Sequence, residues 1–548
     1  MGVLWQIEGM RRVWVVGCLF GLGCGATLAT PDAGGRGDGG AWDAGEIADA
    51  GDDDAGPGAP DGGSFDGGSF DAGGTDAGRA DGGRGDAGAA DGGPGDGGDE
   101  LGFDPSVCPC TREILTGEST VDLSSLDAGS VVCLRATTAA TRGRLTITGL
   151  NGTAASPVLI RNCDGQVTVS SSTTGAPLTL SGRGFRVSGG GAPGVTYGLK
   201  FTGPSASFLV SVGRASEFEL DHLELTQSSF AGITAKVDPS STSCGVGDRR
   251  YDSFVMSGVH IHHNWVHDLP NGEGMYLGNS FYSGAGARYC YASGNTTCDR
   301  SACPGATEQF PHELRRVRVH HNLIQHTGWD GLQVGSAVDD CVLSDNRIED
   351  YGELAVASQQ NGIQVGEGSS CIVERNTVTR GPTGINVLGI GDVVVRNNLV
   401  TDFRSVGVVI NPRPTPLATD IVPTGYRGGF TVSFDTLVSG AGATNALVDV
   451  NAAAVGDVTV VDNVISNNLI VFPTSSWLRR TDARYGWTVA GNLQFPSAGA
   501  AGLGPDFCPS PTSTAVDAAD AGPAVTSDLR GAPRPLGAGP DVGALECH

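Results

Sequence analysis

One pattern recurs along the second half of this chain: apolar, any, apolar, two polar residues, asparagine. It reads VHIHHN from Val259 to Asn264, VRVHHN from Val317 to Asn322, CVLSDN from Cys341 to Asn346, CIVERN from Cys371 to Asn376 and VVVRNN from Val393 to Asn398. A variant, VTVVDN, runs from Val458 to Asn463. Asn322 to Asn346 is 24 residues and Asn376 to Asn398 is 22, a solenoid period in which larger gaps are loop insertions. Each asparagine is followed by a second short strand that begins with glycine: GITAK (Gly232 to Lys236), GMYLG (Gly274 to Gly278), GLQVG (Gly331 to Gly335), GIQVG (Gly362 to Gly366) and GINVL (Gly384 to Leu388). Period-two alternation sends the aliphatic residues inward and the residues between them outward. Such short strands cannot bury a face alone, so successive coils must stack to make a core. Stacked parallel strands lie about 4.8 Å apart and align equivalent residues in ladders. Asparagines sharing a turn can then hydrogen-bond from coil to coil.

Over roughly residues 120 to 548 this alternation resembles the parallel β-helix repeat proteins of the pectin-lyase-like superfamily. The resemblance implies an all-β fold, a right-handed parallel β-helix, over residues 105–548. The stretch DLRGAPRPLGAGPDVGALE, Asp528 to Glu546, looks like the closing segment of bacterial β-helix proteins. Within 505–548 it is expected to cover the last coil.

Composition sets the other boundaries. Residues 30–104 are dominated by glycine, alanine and aspartate and hold too few apolar side chains to offset their ordering entropy, which predicts a disordered linker. Residues 31 to 100 carry 18 acidic and 3 basic residues, so much of the formal charge of −26 belongs to the linker. No basic run exists to hold nucleic acid. Arg11 and Arg12 precede an apolar stretch from Val13 to Leu22, too short to span a bilayer and suited to a signal-peptide core within residues 1–29. Gly-Leu-Gly-Cys, ending at Cys24, resembles a lipoprotein box with Cys24 lipidated; cleavage after Ala29 is the alternative. Export follows either way, to the outer membrane or cell surface as a lipoprotein or into the medium, with membrane contact only through the lipid. Of the 14 cysteines, 12 fall in the exported body, where disulfides are expected. Cys244, Cys290, Cys298 and Cys303 cluster in one loop-rich region; disulfides are favoured there over zinc, because no histidine completes the usual spacing.

Titratable residues concentrate between 230 and 370. The chain has two lysines, Lys200 and Lys236, and the second ends a glycine-led strand. Unlike arginine, lysine can lose its proton at accessible pH. In the lyases of the superfamily a lysine or arginine removes the proton next to a uronate carboxylate, often with calcium neutralising that carboxylate, and the resemblance offers this role to Lys236. Glu273 and Asp330 each precede the glycine of their strand, as does Asn361 one coil on. Adjacent coils would bring the two carboxylates together as a catalytic acid and base or as oxygen ligands for calcium; turn capping is the structural alternative. Tyr276, Gln333, Gln364 and Asn386 continue the outward ladder as candidate sugar contacts. His262 should align with His320 and His263 with His321, as substrate or metal contacts or as stacked turn residues. Tyr282, Arg288 and Tyr289, within a long insertion, are expected to wall a cleft over this face.

The leading expectation is a monomeric polysaccharide lyase acting on an acidic extracellular polysaccharide by β-elimination, with Lys236, Glu273 and Asp330 catalytic. A glycoside hydrolase using Glu273 and Asp330, or a non-catalytic adhesion rod, are the competing expectations.

Overall fold

A computed structural model describes residues 108–237, 254–279, 289–291, 307–309, 312–389, 391–412, 429–449, 462–480, 486–520 and 525–547. The signal segment with Cys24, the linker, Cys244, Cys298, Cys303, Tyr282 and Arg288 lie outside them. Each coil contributes three short strands, and each strand pairs in parallel with its equivalents in neighbouring coils. In one coil these are Val255–His262, Trp265–Leu269 and Glu273–Leu277; in the next, Glu313–His320, Leu323–Thr327 and Leu332–Val334. Among the described residues, two of the three faces merge into a 23-stranded sheet because strands such as Leu178–Ser188 and Phe208–Asp221 turn the corner unbroken; the third face is a 12-stranded sheet. An antiparallel ribbon joins Tyr289–Tyr291 to Thr307–Gln309. No helix among the described residues is long and apolar enough to cross a membrane.

The repeat dictates this geometry. Its two apolar positions point inward as ladders, Val259, Val317, Cys341, Cys371 and Val393 in one and Ile261, Val319, Leu343, Val373 and Val395 in the other, all within the central core. Cys341 and Cys371 are direct neighbours on adjacent coils and are disulfide-bonded, as are Cys108–Cys163, Cys110–Cys133 and Cys508–Cys547. The residue before each asparagine takes the left-handed conformation: His263, His321, Asp345, Arg375 and Asn397 have φ of 53 to 56°. This turns the chain so that the asparagine side chain points into the core. The glycine-led strands face inward where they start, and a Cβ on Gly362 would come within 2.3 Å of Val378 Cγ1, so no larger residue fits there.

The asparagines form a continuous buried column. Nδ2 of Asn264, Asn322, Asn346 and Asn376 each donates at 3.0 Å to Oδ1 of the next member, ending on Asn398. The column then departs from the sequence expectation. Asn463, from the variant hexad, begins its strand and accepts from Phe430 N–H, whereas the rungs after Asn398 are Asp435, Asn468 and Asn492. FTVSFD and NVISNN are degenerate copies of the hexad, with Phe434 at a polar position, Asp435 in place of the asparagine and Asn463 at an apolar position.

At Asp435 a carboxyl stands in an amide column. Asn398 donates to its Oδ1 from N–H and Nδ2, and Oδ2 has no hydrogen-bond partner among the described residues. Burial raises its pKa to about 7 against the opposing hydrogen bonds from Asn398. Below about pH 4 both folded and unfolded states hold the proton; between about 4 and 7 only the folded state does, so stability falls as pH rises and levels off above 7. Asp435→Asn is therefore expected to raise Tm at pH 8 and to change it little at pH 4, with a ceiling of about 4 kcal/mol. Thermal melts of the two proteins at both pH values check this.

The closing segment does not simply lie over the end of the last coil. Ala501, Ala515 and Val542 pack with Leu469 and Val471, and Val438, Leu493 and Phe495 lean on this cluster. These are outward residues of the third face, so the segment runs along the flank of the final coils. Ala544 N–H donates to Thr436 Oγ1 at 2.9 Å, and the Arg534–Glu546 pair is buried at 2.8 Å.

Candidate active site

The register brings the expected residues together. Ala231 pairs with Glu273, and Tyr276, Gln333, Gln364 and Asn386 are successive members of one ladder. Gly274 N–H donates to Asp330 C=O at 3.0 Å, and Asn361 N–H donates to Asp330 Oδ1 at 2.7 Å, so Glu273, Asp330 and Asn361 hold the same position in three coils.

Exposure is where the expectation fails. Glu273 is 1% and Asp330 0% exposed; Tyr276, Gln333 and Gln364 are 4%, 1% and 4% exposed. The face is outward with respect to the core, yet it is covered. Phe230 is one reason: it meets the Tyr276 and Trp329 rings edge-on at 6.0 and 5.4 Å, and Phe208 joins them. The amides are occupied as well. Asn361 Nδ2 donates to Gln364 Oε1 at 3.1 Å, Asn386 Nδ2 donates to the same oxygen at 3.2 Å, and Gln364 Nε2 donates to Gln333 Oε1. Tyr276, Gln333 and Gln364 therefore do not form an open sugar-binding strip in this structure.

Electrostatics divide the carboxyl pair. Burial, then the neighbouring Asp330, push the Glu273 carboxyl well above the usual range, while Lys236 pulls the other way. Asp330 is raised by burial to about 7 and is held down by its bonds from Asn361. Asp330 is thus the better-supported anion, and Glu273 keeps the proton. Glu273 Oε2 has no partner among the described residues. Lys236 is half-buried, and its Nζ sits 4.2 Å from the Tyr276 ring centroid, a cation–π contact. Lys200, the other lysine, is tied to Glu224 at 2.5 Å.

Calcium takes six to eight oxygens. Both oxygens of Asp330 already accept from Asn361, and a lysine cation lies alongside Glu273. This donor set does not fit calcium.

The histidines gather on a different face of the coil. His262 pairs with His320, their rings stacked 4.9 Å apart, and the left-handed corner residues His222, His263 and His321 stack at 5.4 and 4.9 Å. Beside them is a network that sequence reasoning missed. Arg186 Nε donates to Asp221 Oδ2 at 2.8 Å and lies 3.1 Å from Glu219 Oε1, and Ser188 Oγ donates to Asp221 Oδ1 at 2.6 Å. FELDH, Phe218 to His222, is one more degenerate copy of the repeat; reading it in register would have exposed Glu219 and Asp221.

A family model described as a right-handed β-helix region matches residues 312–476. The described residues from 108 onward form a right-handed parallel β-helix. Similar solved structures include an alginate lyase from a Paenibacillus strain, with 16% identity over 71% of this chain and 97% of that one, at a TM-score of 0.33. A pectate lyase shares 10% identity over 81% of this chain and 98% of its own, at a TM-score of 0.40. A family 6 polysaccharide lyase from Pseudopedobacter saltans shares 12% over 71% and 94%, at 0.37. Likeness at this level carries no argument about chemistry. No curated protein matches the sequence.

Proposed function

We propose that this β-helix is an exported enzyme that cleaves an acidic extracellular polysaccharide by β-elimination, with Lys236 as the catalytic base. One observation carries the reading: the half-buried Lys236 lies against Tyr276 and next to a fully buried carboxyl pair in which Glu273 holds a proton. A neutral lysine would take the proton next to the uronate carboxylate, the glycosidic bond would break as the double bond forms, and the departing oxygen would take a proton from solvent. Glu273 and Asp330 are too deeply buried to touch a sugar. They act as positioning residues that set the charge around Lys236. No step is assigned to calcium, because the donor set at Glu273 does not suit it. Four disulfides among the described residues support export.

The test is a panel of uronate polymers incubated with the full chain and read by the ultraviolet absorbance of unsaturated ends. At least one polymer is expected to yield them. New reducing ends without unsaturation would overturn the β-elimination reading in favour of hydrolysis. Binding without turnover on every polymer would leave a non-catalytic rod and end the enzymatic reading.

A further inference from the structure

The imidazole cluster on the Val255–His262 face is not used by the lyase reading, and its chemistry is of another kind. Glu219, His260 and His262 each offer one ligand atom, and these atoms all lie within 4.8 Å of one another. Backbone pairing fixes their positions: Glu219 is the direct partner of His260 on the adjacent coil, and Asp221 of His262. We propose that Glu219, His260 and His262 form a binding site for a zinc-class transition-metal cation, with His320 as the nearest further donor.

Three features support the assignment. His262 Nε2 lies 3.0 Å from Glu219 Oε1, and His260 Nε2 lies 2.6 Å from His320 Nε2, so nitrogen and carboxylate donors already converge. Ligands bound at about 2.0–2.1 Å in a tetrahedral site are roughly 3.3 Å apart, so the Nε2 atoms of His260 and His320 must part by about 0.7 Å. The outer shell is built too. His262 Nδ1 shares a hydrogen bond with His263 Nδ1 at 2.7 Å, and His320 Nδ1 with His321 Nδ1 at 2.9 Å. Bonds of this kind at the far ring nitrogen fix the tautomer of a metal-binding histidine. The stacked corner rings hold those outer histidines in turn. Finally, charge is in surplus: two carboxylates, Glu219 and Asp221, face one guanidinium, Arg186. Arg186 competes for Glu219 Oε1 but keeps its shorter bond to Asp221 when a cation takes that oxygen. Imidazole with one carboxylate suits zinc, cobalt, nickel or copper(II) and not calcium or magnesium. With neutral imidazoles the bond between His262 Nε2 and Glu219 needs a proton on that nitrogen; when a cation takes Nε2 the ring switches tautomer, its one proton moving to Nδ1 to be donated to His263, so the imidazole stays neutral.

The test uses the full chain stripped with a chelator. Titration calorimetry with Zn²⁺ is expected to show one equivalent bound. Co²⁺ should give the visible spectrum of a nitrogen and oxygen site without a thiolate charge-transfer band. His262→Gln is expected to weaken Zn²⁺ at least about 100-fold, and His326→Gln, an exposed histidine paired with Glu353, to leave it unchanged. Zn²⁺ should also shield His260 and His262 of the unaltered protein from diethyl pyrocarbonate, so the site is tested even if the variant misfolds. Absence of saturable binding, a thiolate band, equal binding by His262→Gln, or unshielded His260 and His262 would each overturn the proposal.

Discussion

Lys236→Arg is expected to lower turnover by about 10²- to 10⁴-fold while leaving Tm within about a degree of the parent. The exchange keeps a cation over the Tyr276 ring and a positive charge beside Glu273, so the contacts that hold this corner together survive. What it reduces is the ease of losing a proton, since a guanidinium holds its proton far more tightly than an ammonium does. A structural lysine would tolerate the change; a base would not. Steady-state assays on whichever uronate polymer is cleaved, with thermal melts alongside, separate these outcomes. Unchanged turnover would remove Lys236 from the chemistry. Glu273→Gln complements it. The same substitution should raise Tm at alkaline pH, because a carboxyl whose folded pKa lies far above its unfolded value destabilises the fold increasingly as pH rises past about 4.5.

The repeat made neighbours legible but not what covers them. Period two and the asparagine spacing place Glu273, Asp330 and Asn361 in one ladder and His262 beside His320, because register is fixed once the inward residues are known. Burial of Tyr276 was not legible, since Phe230 and Trp329 lie at corners, where the alternation that guided the reading is interrupted. The Cys341–Cys371 bond could have been read, as both cysteines open the same hexad in adjacent coils. The flank position of the closing segment also had a trace in sequence. Leu469-Ile470-Val471 is apolar on both faces, and a strand of that kind at a solvated surface needs a cover.

The asparagine column is where the largest loss of stability is expected. Asn376 sits at its centre: Oδ1 accepts from Asn346 N–H and Nδ2, both at 3.0 Å, and Nδ2 donates to Leu343 C=O at 2.8 Å and to Asn398 Oδ1 at 3.0 Å. Asn376→Ala removes all four, together with the 3.0 Å bond from Nδ2 to Glu374 C=O, and strands the Asn346 N–H and one hydrogen of Asn346 Nδ2, whose other hydrogen keeps Val319 C=O, at about 1–3 kcal/mol each. A loss of about 4 kcal/mol or more follows, read as a shift in the denaturant midpoint. Water cannot rescue these groups, because every member of the column from Asn264 to Asn398 is buried. Asn376→Asp distinguishes lost hydrogen bonds from lost volume. It fills the same space and can still accept from Asn346, but it can donate onward only when protonated. Its penalty should therefore be small near pH 4 and grow toward pH 8, the reverse of the gain expected for Asp435→Asn two rungs away. A pH-independent loss in Asn376→Asp would show that shape, and not the donated hydrogen bonds, is what the column contributes.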